Sequence, residues 1–265
     1  MITALLGAVV AAVLVGVLLS DRGSSDATPV SGEQALSTFS AFQESGEPEL
    51  LEQAEHEAAR ALSADAEDIL AAEAATRIAL SQHEFAEALR LAERAVALAP
   101  DRFAPVGLRA DALIELGRYD QAFPVVDQRL EARPDLPSYA RASYAAELRG
   151  EITLARELMD LAAETSPAGS FGRRFAQVQQ IGLGLRYGAF DGAERVIAQA
   201  SAENPGDAEW GINRGRLAAA RGDLEDAAGE YRAAIEDIPE ADHLAEIAEI
   251  EAALGRDEAA EGYLT

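Results

Sequence analysis

The sequence predicts an all-α fold: an α-solenoid of antiparallel helical hairpins preceded by one N-terminal transmembrane helix. Three observations carry that expectation. Residues Ile2 to Leu19 form an uncharged apolar run, prolines recur at intervals of 34, 33, 38 and 34 residues, and the composition favours helix. Alanine, leucine and glutamate dominate, whereas β-branched and aromatic residues are sparse.

The N-terminal run comes first. Its 18 residues are apolar apart from Thr3 and two glycines, and at ~1.5 Å rise each they span roughly the hydrocarbon thickness of a bilayer. No basic residue precedes the run, which is also longer than the ~7–15 apolar residues of a secretory signal. Residues 1–20 are therefore expected to be a retained membrane anchor, with a signal cleaved near Ser25-Asp26-Ala27 as the alternative. Arg22 is the one flanking basic residue and Asp21 sits beside it, so topology is weakly encoded; the expectation is a domain outside the cytoplasm, on the periplasmic side. Ala4, Ala8, Ala12 and Gly16 recur every fourth residue, a stripe that would let a second transmembrane helix approach closely. Residues 21–48 turn to Ser, Gly, Asp, Pro and Glu, which predicts a flexible acidic linker carrying at most a short helix around Ala35–Phe42.

Residues 49–265 carry the repeat, about five full units plus partial ones at each end, and its punctuation locates the helices. The prolines are Pro100, Pro134, Pro167, Pro205 and Pro239, and 17 residues before each stand His83, Gly117, Gly150, Gly188 and Gly222, with Gly255 continuing the series. Five residues after these come Ala88, Ala122, Ala155, Ala193, Ala227 and Ala260; seven further on come Ala95, Arg129, Ala162, Ala200 and Ala234. A glycine in the left-handed conformation ends a first helix. Two small residues seven apart face one way on a second helix and admit a close neighbour. The proline stops that second helix. Ala54 and Ala61 extend the same register backwards.

Four departures carry specific expectations. His83 must take the glycine conformation at a modest cost. Arg129 stands where a packing alanine is expected, so its stem should bend out to solvent and loosen that interface. The longer third interval should appear as an extended loop near Ala168–Gly172. Thr265 falls inside a second helix, so the last hairpin is expected to fray or to be covered by a partner.

The segments Leu116-Gly117-Arg118-Tyr119-Asp120-Gln121-Ala122 and Arg221-Gly222-Asp223-Leu224-Glu225-Asp226-Ala227 resemble the Gly-x-Tyr-x-x-Ala core of the tetratricopeptide repeat family. The resemblance covers about residues 69–265 and implies binding of other proteins, with first helices lining a concave face. Carried over by register, that face comprises Glu73, Arg77 and Leu80, then Asp111 and Ile114, then Tyr144 and Glu147, then Phe175, Val178 and Leu185, then Ile212 and Arg216. Such a mixture suits a peptide or helix laid in a groove. The family's lysine–asparagine carboxylate clamp is not expected, because all 22 basic residues are arginine. Arg141, Arg149, Arg173, Arg174 and Arg186 gather around repeats three and four as a candidate anion patch, with pairing to neighbouring acids as the alternative.

Charge and chemistry narrow the classes. With 22 basic against 47 acidic residues, the net charge of −25 repels nucleic acid and anionic headgroups. Cysteine is absent, and the three histidines lack second ligands at metal spacing. Gly182-Leu183-Gly184 has neither the spacing nor the preceding strand of a dinucleotide loop. No catalytic, cofactor or metal residues are expected. The expected function is a membrane-anchored scaffold recruiting partners of a membrane complex, against a secreted binding module or a chaperone-like assembly factor.

Overall fold

The computed structural model describes residues 31–264. Among them the elements are fourteen helices: α1 Gly32–Ser45, α2 Pro48–Ala64, α3 Ile69–Ser81, α4 Phe85–Leu98, α5 Phe103–Glu115, α6 Tyr119–Ala132, α7 Leu136–Leu148, α8 Ile152–Glu164, α9 Phe171–Arg186, α10 Phe190–Glu203, α11 Glu209–Arg221, α12 Leu224–Ala234, α13 Ala241–Ala253 and α14 Asp257–Tyr263. They form two compact units, one ending at Leu158 and the other beginning at Met159, within α8. In the first unit each helix from α1 to α7 packs on its neighbour in sequence, and first helices also meet: α1 on α3, α3 on α5, α5 on α7. In the second unit α9/α10, α11/α12 and α13/α14 pair as hairpins, and α9 touches α11.

The punctuation residues do what their spacing requires. His83, Gly117, Gly150, Gly188, Gly222 and Gly255 all have positive φ, between 61° and 90°. At Gly117 the N–H donates to the Ile114 carbonyl at 2.8 Å, and the Arg118 N–H reaches back to the Leu113 carbonyl at 2.8 Å. This double bond pattern satisfies the last carbonyls of a helix and reverses the chain. His83 makes the same turn, with Glu84 donating to Ala79 at 2.8 Å, so the turn is kept without glycine. The alanines are buried: Ala88, Ala122, Ala155, Ala193 and Ala227 on one row, Ala95, Ala162, Ala200 and Ala234 on the other. Small side chains let paired helices approach closely.

Four details differ from the sequence expectation or sharpen it. Inside the expected linker, Gly32–Ser45 is a complete helix, capped by Ser31 and burying Ala35 and Phe39 against Ala54, Ala58, Ala74 and Ile78. It is held by polar contacts that its composition hides: buried Glu57 accepts from Gln34 Nε2 and Thr38 Oγ1, both at 2.7 Å. Asp68 joins two helix starts, accepting Ala71 N–H of α3 and Gly32 N–H of α1, each at 3.0 Å. A β-carbon at position 32 would collide with the Ala71 nitrogen, so the approach needs glycine.

The long third interval is absorbed largely in α9, which has 16 residues where α3, α5, α7, α11 and α13 each have 13. The expected loop is thereby short, and Ser170 caps α9 at its end. Arg129 does not bend out. Only 6% of its side chain is exposed, and its guanidinium lies 4.5 Å from the Phe103 ring centre. The aromatic face replaces the missing methyl packing and compensates part of the lost hydration. Finally, no described helix is long and apolar enough to cross a membrane. Residues 1–20, with Ala4, Ala8, Ala12 and Gly16, lie outside the described residues.

Candidate protein-binding site

The first helices place the twelve groove candidates unequally. Glu73, Leu80, Asp111, Ile114, Phe175 and Ile212 are buried, because each first helix is flanked by others and these positions fill the seams. Arg77, Tyr144 and Glu147 in the first unit, and Val178, Leu185 and Arg216 in the second, keep partial exposure. Val178 and Leu185 also lean on the cluster of Ile181, Ile197, Trp210 and Leu217. Of the part-exposed candidates, α3 and α11 each present one, α7 and α9 each present two, and α5 presents none.

Charge is organised across repeats at a regular distance. Arg141 of α7 grips Asp111 of α5 through Nε at 2.7 Å and Nη2 at 2.8 Å, both residues being only 7% exposed. Such a fork on a carboxylate is strong and orienting. Burial alone would lower the Arg141 pKa, but Asp111 outweighs it and holds the guanidinium charged. Gly107 makes room, since a β-carbon there would lie 2.9 Å from the Arg141 guanidinium carbon. In the second unit Arg173 pairs with Glu203 at 3.2 Å, and Arg216 of α11 with Glu246 of α13 at 3.1 Å. Tyr231 donates to the same Glu246 at 2.6 Å; burial and that carboxylate push the phenol far above its ordinary range.

The five arginines expected as an anion patch are divided between the two units. Arg141 is sealed on Asp111, Arg149 pairs with Asp127 at 2.8 Å, Arg173 with Glu203, and Arg174 with Asp207 at 2.6 Å. Arg186 sits in the last turn of α9. Four of the five are therefore engaged by internal carboxylates, which is the alternative that the spacing allowed. Sequence reading missed Phe103, Arg133 and Asp135 and turned Arg129 toward solvent, whereas two guanidiniums, those of Arg129 and Arg133, lie over the one ring of Phe103. It also missed the partners Glu203 and Glu246. A signal existed: Asp111 to Arg141, Arg173 to Glu203 and Arg216 to Glu246 are each separated by 30 residues, nearly one repeat.

Among the described residues no group of three or more His, Cys, Asp or Glu is placed to hold a metal ion. Residues 79–146 match the tetratricopeptide repeat family model. Solved structures extend the likeness. A tetratricopeptide repeat protein from Parabacteroides merdae superposes with a TM-score of 0.62 at 18% identity, covering 88% of this chain and 90% of that one. The fold is a tetratricopeptide-repeat fold. TTC0263, a tetratricopeptide protein of Thermus thermophilus, superposes with a TM-score of 0.58 at 21% identity over 71% of this chain and 98% of that one. PilW, described as a type IV pilus biogenesis factor, gives 0.58 at 19% identity, covering 75% and 90%. The Vi polysaccharide export protein VexE of Salmonella typhi is 44% identical over 71 residues, 26% of this chain. That stretch spans only 11% of VexE.

Proposed function

We propose that this chain is a membrane-anchored scaffold whose tetratricopeptide first helices bind protein segments and so recruit or stabilise partners of a membrane complex. The observation that carries the reading is that part-exposed side chains recur on the first helices: Arg77, Tyr144 and Arg216 each stand six residues before a turn residue, His83, Gly150 and Gly222, and Val178 stands ten before Gly188. Buried seams within each unit hold the helices that carry these side chains, which lowers the ordering cost of binding. The uncharged Ile2 to Leu19 run supports attachment to a membrane, with the repeats on the extracytoplasmic side and the stripe Ala4, Ala8, Ala12, Gly16 facing a partner helix. The roles of PilW and VexE, pilus biogenesis and polysaccharide export, fit work beside an envelope assembly.

The test is purification of the full chain from membranes, in mild detergent, beside a Tyr144→Ser/Val178→Ser variant. A partner recovered with the parent and lost with the folded variant supports the reading; equal recovery from both would end it. N-terminal sequencing of the same sample separates the anchored form, starting at Met1, from a secreted form starting at Thr28.

A further inference from the structure

We propose that the α5 start and the α6–α7 turn form a site for an acidic peptide segment, with Arg102, Arg129 and Arg133 around Phe103 as its contact set. The inference deepens the scaffold reading and rests on it, because it names the chemistry of one partner segment.

Within the first unit five arginines and three carboxylates form one connected cluster. Arg77 bonds Glu73 at 2.6 Å, and Arg102 approaches the other Glu73 oxygen at 3.7 Å. Arg141 uses both oxygens of Asp111. Arg133 pairs with Asp135 at 2.8 Å and Arg129 stands 3.7 Å from the same oxygen. Glu115, whose carboxyl feels the Asp111 charge, adds a fourth anion, so five cations less four anions leaves a surplus of one positive charge, in a protein whose net charge is −25. Exposed Asp101 and Glu131 lie nearby in sequence, but among the described residues neither forms an ion pair with these arginines.

Asp111 and Asp135 have no capacity to spare, whereas the buried Glu73 Oε2 accepts no hydrogen bond and meets only Arg102, at 3.7 Å. Asp135 also caps α7, accepting the Ser138 N–H at 3.1 Å and the Ser138 hydroxyl at 2.6 Å. Donors are meanwhile left over. The Nε of Arg129, a residue 94% buried, has no hydrogen-bond partner, and neither do Nε and Nη1 of Arg77. Burial is the main cause lowering the pKa of both arginines, with only partial relief from Asp135 and Glu73. Buried charges short of counter-charge are costly, and an incoming anion relieves that cost.

The geometry selects the kind of anion. Arg102 and Arg133 are about half exposed, and Phe103, itself partly exposed, has guanidiniums 4.5 and 5.4 Å from its ring centre. Arginine forks match carboxylates in pairs. The half-exposed Arg102 and Arg133, with one positive charge in surplus, suit an Asp or Glu side chain with an apolar neighbour over Phe103. A polyanion such as nucleic acid would meet the repulsion of the whole acidic surface beyond the first ~8 Å of screening.

The test uses the full chain in detergent and a fluorescein-labelled hexaglutamate peptide read by anisotropy, with hexaglutamine as control. Hexaglutamate should bind at least tenfold more tightly than hexaglutamine, and millimolar inorganic phosphate should not displace it. Arg102→Glu/Arg133→Glu should weaken it by at least tenfold at an unchanged melting temperature. Should charge reversal disturb the α7 cap, Arg102→Gln/Arg133→Gln provides a milder loss of several-fold. Equal binding of both peptides, ready displacement by phosphate, or full affinity in both arginine variants overturns the site. If hexaglutamate fails while Tyr144→Ser/Val178→Ser still sheds a membrane partner, the acidic site falls and the scaffold stands. If no partner is ever shed but hexaglutamate binds as stated, the reverse holds.

Discussion

The two units solve the same packing problem with ion-pair clusters of opposite balance. In the first, five clustered arginines share three carboxylates, and the central pair Arg141–Asp111 is sealed from water. In the second, Arg173, Arg174 and Arg216 face Glu203, Asp207, Glu209 and Glu246, three cations against four anions, and most of these groups keep some exposure. The second unit relies instead on large buried rings, Trp210 and Tyr231. The same helical hairpin thus tolerates either a dry ion pair or an aromatic wedge between first helices. The choice decides how each unit responds to mutation and acid.

The largest contrast should follow from breaking one ion pair in each unit. Arg141→Met strands Asp111 in a dry seam, and loss of one partner from a buried pair costs about 3–5 kcal/mol. Adding Asp111→Leu should recover most of that loss, because the desolvated charge is then gone. Arg174→Met removes a pair with the arginine 37% exposed, and pairs of that kind are worth roughly 0–1 kcal/mol. Urea unfolding of the three variants measures both. Similar losses for Arg141→Met and Arg174→Met would show that the seam in the first unit is wetter than its geometry indicates.

A second break acts on the aromatic wedge. A β-carbon at Gly215 would lie 2.5 Å from Tyr231 Cδ2 and 2.7 Å from Cε2, with a carbonyl behind at 3.4 Å. The ring is fully buried and tied to Glu246, so it has little freedom to yield. Gly215→Ala should therefore destabilise by about 1–3 kcal/mol through overpacking, although alanine favours helix. The denaturation midpoint checks it, and an unchanged midpoint would mean that the ring can shift after all.

Acid should separate the units more gently. Glu251 in the second unit is buried, which alone would raise its pKa, but hydrogen bonds from Arg232 and Arg256 and their charges hold it below the ordinary 4.5. A depressed folded pKa contributes stability above the unfolded value, lost as pH falls through the folded one. Glu115 in the first unit runs the other way: burial and the Asp111 charge raise it above 4.5. Its contribution is present below 4.5 and is lost as pH rises through the raised value. Glu251→Gln should lower stability at pH 7 and flatten the fall below pH 4.5, whereas Glu115→Gln should raise stability at pH 7. The pH dependence of the urea midpoint for both variants reads the two signs, and a shared sign would contradict the comparison.

Much of the architecture was legible because its markers are backbone requirements. A left-handed turn needs glycine or a tolerated substitute, so Gly117, Gly150 and Gly222 locate helix ends whatever surrounds them. Side-chain seams were harder to read. Arg129 looked like a defect because the ring that receives it, Phe103, lies 26 residues earlier and across a hairpin. Helix α1 was hidden because Gln34 and Thr38 on its polar face satisfy Glu57 rather than solvent alone. Half of the groove positions carried by register proved to be seam residues, since register specifies which helix face a residue occupies but not how deeply the neighbouring helix covers it.

The smallest expected effect tests whether the wedge alone makes glycine necessary in the second unit. Gly229 lies inside α12, one helix along from Gly215, and a β-carbon there would meet nothing within 4 Å. Its φ is not positive, so alanine needs no strained backbone. Gly229→Ala should therefore stabilise by about 0.5–1 kcal/mol, from the entropy glycine gives the unfolded chain and the higher helix propensity of alanine. Calorimetric melting of the two glycine variants side by side would then show opposite shifts from the same chemical change. Should Gly229→Ala lower the melting temperature instead, a surface contact at α12 would have to be present in the intact protein, and the outer face of that helix would become the place to look for a bound partner.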